Sequence, residues 1–265
     1  MGKYNNRVIV SMDRECPMGC KHCYSFDMTH SNTPQSDESV ISRAKKSAAD
    51  IVYLSEKTEN FFDEREGYEL CKCLFEECKK DIFVITRSFL SDETIQQLAT
   101  LDQQMKQTAN ALYLAVSVCA RESYGITEDI HLCPTPDARI SNLQRASALG
   151  IHTILMVRPV FPSKMVPIKE YLELVDQCNG NVDVVVTSGL IVTDSILKRL
   201  GVEREFFSYM ACGDSSYLAD LEDKSISYVN VEAELQEIEN KCSMCGIPCY
   251  RHTMPALNWI ADKQR

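Results

Sequence analysis

The sequence predicts an α/β chain built on a parallel sheet, and three observations carry that expectation. Short runs rich in Val, Ile and Tyr recur between residues 7 and 187. Each is nearly continuous in hydrophobicity, the pattern of strands buried on both faces. Each is followed by an amphipathic stretch, and repeated strand–helix units give a parallel sheet with right-handed crossovers. Six such units are too few for a closed eight-unit barrel.

The expected strands are 7–12, 51–55, 81–86, 112–118, 151–157 and 182–187, and the expected helices 37–49, 64–79, 92–106, 137–149, 167–178 and 194–200. Ser91 and Asp92 ahead of Ile95 form a helix start. Ile140, Leu143 and Ala146 share a helical face, and Gly150 ends that helix as a C-cap. The pattern breaks after about residue 201. An aromatic stretch (Phe206, Phe207, Tyr209), an acidic helical run (Val231 to Asn240) and a cysteine-rich end follow. The chain therefore divides into residues 1–201 and a C-terminal extension, 202–265.

Hydrophobic residues make up 45% and charged residues 25%, ordinary for a soluble globular chain. No apolar run approaches the ~18 residues needed to span a bilayer. Residues 1–6 lack a signal-peptide core, so a cytoplasmic location is expected. There, 13 cysteines point to metal ligation rather than disulfides. A net charge of −10 disfavours a broad nucleic-acid footprint.

The run Cys16-Pro17-Met18-Gly19-Cys20-Lys21-His22-Cys23-Tyr24 carries the chemistry. Thiolates hold iron–sulfur clusters, usually four at a time. Three on one short loop can hold three irons of a cubane and leave the fourth iron open. A zinc knuckle would want a second pair nearby, and none is present. The loop follows the apolar run Arg7–Met12. In this context the motif resembles that of the radical S-adenosylmethionine (SAM) enzymes. The resemblance implies a partial (β/α)6, TIM-like barrel with chemistry at the C-terminal strand ends. It implies a [4Fe-4S] cluster whose open iron binds SAM, and reductive cleavage of SAM to a 5′-deoxyadenosyl radical that abstracts hydrogen from substrate. His22 takes the family's aromatic position before the third cysteine, and Tyr24 follows it.

A second set, Cys242, Cys245 and Cys249, has C-x2-C-x3-C spacing, and Gly246 eases a tight turn. With Cys212 it would hold an auxiliary [4Fe-4S] cluster, as in several radical SAM subfamilies. Alternatively, zinc would take the three with Cys212 or His252. Cys71, Cys73, Cys78, Cys119, Cys133 and Cys178 read mostly as small core residues.

Residues 81–88, 115–117, 134–151 and 157–162 resemble the spore photoproduct lyase and DNA-repair-photolyase-like branch. That likeness places Arg87 on the SAM carboxylate, Ser117 near the SAM ribose, and Ser55 and Glu56 near its amino group. Ser55 and Glu56 stand where the lyase has its hydrogen-donor cysteine. Arg158, ending the fifth strand, is the candidate for an anionic substrate group, and residues 250–255 for a cover over the mouth. The expected substrate is a small molecule, nucleoside or peptide, with a reductase, flavodoxin or ferredoxin as electron donor. Two alternatives stand beside it: nucleic-acid lesion repair, and a non-enzymatic iron–sulfur or zinc protein.

Overall fold

The structure is a computed structural model that describes residues 2–11, 16–27, 37–54, 58–210 and 225–263. The first strand, β1 (Arg7–Val10), leads through α1 (Asp37–Lys46) to β2 (Ile51–Leu54) and α2 (Glu64–Cys78). Then come β3 (Asp81–Thr86), α3 (Asp92–Lys106), β4 (Leu112–Ser117), the single turn α4 (Tyr124–Thr127) and α5 (Pro136–Ala148). They are followed by β5 (His152–Val160), α6 (Ile168–Cys178) and β6 (Val184–Gly189). The chain continues with β7 (Ile191–Val192), α7 (Asp194–Leu200), β8 (Tyr209–Met210), β9 (Ser227–Val229), α8 (Glu232–Met244), β10 (Cys249–Tyr250) and α9 (Thr253–Lys263).

The main sheet has the order β1-β2-β3-β4-β5-β6-β10, and every pairing is parallel. It is open, with β1 and β10 as its edges. A small antiparallel sheet, β7-β9-β8, stands apart. All six units expected from the sequence form in order. The seventh strand comes from the cysteine-rich end, where two residues are too few to leave a periodic signal. The fifth strand runs on to Val160 through an irregularity between Val157 and Val160, and Pro159 follows a cis peptide bond there.

Both faces of the sheet are buried. Val52, Leu54, Ile82, Val84, Leu112 and Leu114 pack under α1, α2 and α3, and Leu155, Val157 and Val185 under α5 and α6. Their neighbours Ile51, Tyr53, Phe83, Tyr113, Ile154, Met156 and Val186 line the other face, against Ala256, Leu257, Ile260 and Ala261 of α9. Two-sided burial explains why the strands read as unbroken apolar runs. Helix α9 is pinned to the start of the chain: Tyr4 N–H donates to Asn258 Oδ1 at 2.7 Å, and Asn258 Nδ2 donates to the Tyr4 carbonyl at 3.0 Å.

Local chemistry sets the helix starts. Asp63, Ser91, Thr135 and Thr193 each accept an N–H of the first turn of α2, α3, α5 and α7, satisfying donors the helix leaves unpaired. Gly150 takes φ +79 just beyond α5, where only glycine is unstrained. Among the described residues, no helix is long and apolar enough to cross a membrane.

Candidate active site

The cysteine loop lies at the C-terminal end of β1 and is stitched to the segment between β4 and α5. Cys20 and Glu128 form an antiparallel bridge. Lys21 N–H donates to the Thr127 carbonyl at 3.0 Å and Asp129 N–H to the Gly19 carbonyl at 2.8 Å. A Cβ on Gly19 would stand 2.4 Å from Asp129 Cβ, so this approach requires glycine. From α7, Arg199 donates to the carbonyls of Lys21 (3.1 Å) and Cys23 (2.6 Å) and, through two nitrogens, to the Asp27 carboxylate at 2.9 Å.

Cys16, Cys20 and Cys23 pack in one small cluster with Met18 and a fourth cysteine, Cys133. The backbone N–H groups of Met18 and Glu59 favour the thiolate of Cys16. The Ser25 N–H and hydroxyl favour that of Cys23. Cys20 packs against Cys133. Burial raises the thiol pKa of Cys16 and Cys23, so a metal must displace their protons to bind them.

Behind the loop lies a buried ionic network. Glu128, fully buried, takes Arg139 on both oxygens (2.5 and 3.1 Å) and Arg87 on one (2.5 Å). Burial opposes its charge, but Arg139 and Arg87 outweigh burial and hold the carboxyl at about 2. Arg87 also donates to the Arg158 carbonyl (3.1 Å) and lies 3.4 Å from His22 Nε2. Burial, aided by Arg87, lowers the His22 pKa to about 3. The ring is therefore neutral: Nδ1–H donates to the Thr127 carbonyl at 3.2 Å, which leaves Nε2 to accept from Arg87. Phe161 packs edge-on against it at 5.6 Å between ring centroids. Buried Glu59, after β2, accepts from Arg87 N–H (2.7 Å), Phe61 N–H (3.0 Å) and the Thr86 hydroxyl (2.9 Å).

The other expected site residues divide clearly. Ser55, Glu56 and Cys212 lie outside the described residues. Tyr24 is half-buried and packs on the edge of the core with Ile191 and Ile226. The Ser117 hydroxyl donates to the Arg158 carbonyl at 3.2 Å, so its hydrogen goes to backbone. Arg87 already has an anion, Glu128, and a ligand carboxylate would have to share it. The Arg158 side chain reaches Thr253 at the start of α9 (3.4 Å). In the 250–255 segment, Arg251 is tied to Glu232 and Glu239 of α8, and Met254 Sδ accepts from the Tyr53 hydroxyl at 3.0 Å.

Cys242, Cys245 and Cys249 form a second group, in a different packing cluster from the N-terminal loop. Cys249 faces the helix-covered side of β10, opposite to Tyr250 on the α9 side. It packs in the same cluster as buried Cys242. Cys245 approaches Asp176 at the end of α6, 3.8 Å away. Gly246 has φ +70, the tight turn its position suggested.

Glu128, Arg139, Arg199, Glu59 and Cys133 carry no motif, and sequence reasoning missed their part in the site. Cys133, read as a small core residue, is buried but lies against the cysteine loop. Cys119 is also drawn in, bonded to Glu128 at 3.2 Å. Among the described residues, no three His, Cys, Asp or Glu side chains are grouped around a single ion. A cubane makes a different demand, since it spreads its thiolates over separate irons. Three loop thiols packed together, beside the Arg87 guanidinium, suit such a cluster.

The same fold occurs in spore photoproduct lyase. Its complex with a dinucleoside spore photoproduct aligns with a TM-score of 0.63 at 14% identity, covering 91% of this chain and 74% of that one. It occurs too in SuiB of Streptococcus suis. The S-adenosylmethionine complex gives a TM-score of 0.56 at 14% identity, covering 93% of this chain and 50% of that one. The complex with the precursor peptide SuiA gives 0.58 at 13%, covering 93% and 48%. At such identities the likeness concerns the fold. No family model matches the sequence, and no curated protein matches it.

Proposed function

We propose that this chain is a radical SAM enzyme. The observation that carries the reading is the Cys16–Cys20–Cys23 loop: three thiols packed together on one loop at a strand's C-terminal end, in a fold shared with SAM-bound SuiB. These cysteines would hold a [4Fe-4S] cluster. When bound, the cluster supplies the electron that cleaves SAM to a 5′-deoxyadenosyl radical. The chain's own residues hold the loop, shield it and orient the ligand. Arg199 and the Cys20–Glu128 bridge fix the loop. Neutral His22 and Phe161 close its inner side. Arg87 lends positive charge beside Cys20, Ser55 and Glu56 are candidates for the SAM amine, and Arg158 for an anionic substrate group.

The substrate class is a small molecule, nucleoside or peptide. The lyase's dinucleoside ligand favours a nucleic-acid lesion as a second reading, while the net charge of −10 opposes a duplex. Binding that weakens steeply with salt would support lesion repair, and no binding at low salt would end it. For the extension, a second [4Fe-4S] cluster on Cys212, Cys242, Cys245 and Cys249 is the leading assignment, with zinc the other.

The test is direct. Anaerobically reconstituted, reduced protein should convert SAM to 5′-deoxyadenosine, and Cys16→Ala, Cys20→Ala and Cys23→Ala should each abolish it. Persistence of that product in the triple variant would overturn the assignment.

A further inference from the structure

We propose that the open edge of the main sheet, at β1, binds the substrate as an extended acidic peptide, which pairs with the strand and lays its carboxylates against α1. This narrows the substrate class given above and rests on the enzyme reading. Among the described residues β1 pairs only with β2, and an edge strand presents unpaired N–H and C=O groups to a further strand. Beside β1 lies a groove of about 580 Å³, lined by Val8 of the strand and by Ser39, Ser42, Arg43, Lys46 and Ser47. Ser39, Ser42, Arg43 and Lys46 stand at i, i+3, i+4 and i+7 of α1, which places them on one face of the helix. Val40 and Ala44 of the same helix turn to the core.

Charge selects the occupant. The chain carries a net charge of −10, yet this groove holds two cations and three hydroxyls, and none of the described residues that line it is acidic. The neighbouring cations are spoken for: Lys45 takes Glu77 at 2.9 Å, and Lys80 takes the carbonyls of Ala44 (2.8 Å) and Ser47 (2.5 Å) at the end of α1. Among the described residues no ion pair engages Arg43 or Lys46. A nucleic acid would find two cations here and no use for a strand edge. An acidic peptide uses both features: its backbone takes the edge, as in β-strand addition, and its carboxylates take the cations. Position ties the groove to the chemistry. Strand β1 leads into the cysteine loop at its C-terminal end, so a segment laid along β1 emerges at the mouth of the candidate site.

The experiment is fluorescence anisotropy of the whole chain with a labelled octapeptide of alternating Val and Glu. The expected result is saturable binding that weakens with salt. It should weaken at least about tenfold in Arg43→Glu/Lys46→Glu, where like charges replace attractions. Methylation of the peptide's backbone nitrogens should abolish it, and a Val-Lys octapeptide should not bind. The double variant should still form 5′-deoxyadenosine from SAM, which shows that it folds. Equal affinity in the variant, undiminished binding of the methylated peptide, or no binding at all would overturn the docking site alone. So would displacement of the peptide by a single-stranded oligonucleotide, or a dimer in sedimentation that the double variant disperses, which would give the edge to a second copy. A wild-type chain that binds the peptide but forms no 5′-deoxyadenosine would overturn the enzyme reading, and with it the peptide's role as substrate.

Discussion

Arg199 Nη2 donates to the carbonyl of Cys23 at 2.6 Å across 176 residues of sequence. Helix α7 thereby fastens the loop after the first strand. The same guanidinium holds Lys21 and Asp27, so one side chain organises the loop from its second half onward.

Replacing Arg199 should therefore loosen the loop more than it destabilises the fold. We expect Arg199→Ala to cost about 1–3 kcal/mol, the range for losing charge-assisted and buried hydrogen bonds, and to lose iron during desalting. Arg199→Lys keeps the charge but lacks the planar fork, and should recover part of the retention. Iron per chain before and after gel filtration reads this out, and unchanged retention in Arg199→Ala would remove the clamp from the account.

Among the described residues, Glu128 is the only carboxylate bonded to the Arg139 and Arg87 guanidiniums. Glu128→Ala strands two buried cations, and breaking a buried pair from one side costs about 3–5 kcal/mol. The urea midpoint should fall accordingly, and a double-mutant cycle with Arg139→Met should give strong coupling. A loss under 1 kcal/mol, roughly the value of an exposed pair, would mean that water reaches the site.

Buried Glu170 predicts an acid limb in stability. It accepts from Arg121 N–H (2.9 Å), Ser123 N–H (3.0 Å) and the Ser123 hydroxyl (2.5 Å). Burial opposes its charge, but these donors win and lower its pKa below the usual 4.5. The unfolded chain thus takes up this proton first as pH falls. The stabilisation is complete above about 4.5 and is lost as pH drops through the lower, folded value. Glu170→Gln should flatten the fall in urea midpoint below pH 4.5. An unchanged slope would assign the acid limb to other carboxylates.

Metal counting separates the two cysteine groups. Two cubanes require about eight irons per wild-type chain, and Cys242→Ala/Cys249→Ala should then keep about four. About four irons with about one zinc in the wild type would make the C-terminal group a tetrahedral staple instead. Loss of all iron from the double variant would show that the groups depend on each other, against their separation into different packing clusters.

The sequence by itself determined the six strand–helix units and their order, because strands buried on both faces write unbroken apolar runs. It also determined the three-thiol loop, whose spacing is local, and the helix caps, where one side chain meets an N–H a few residues on. Tertiary structure decided the rest. Glu128, Arg139, Arg199 and Cys133 matter through partners 11 to 176 residues away, and no periodicity encodes such a meeting. The two-residue strand β10 exists only because β6 offers it an edge. The site was half legible for the same reason. Covalent spacing announces the thiols, while the charges and protons that surround them converge only when the chain folds.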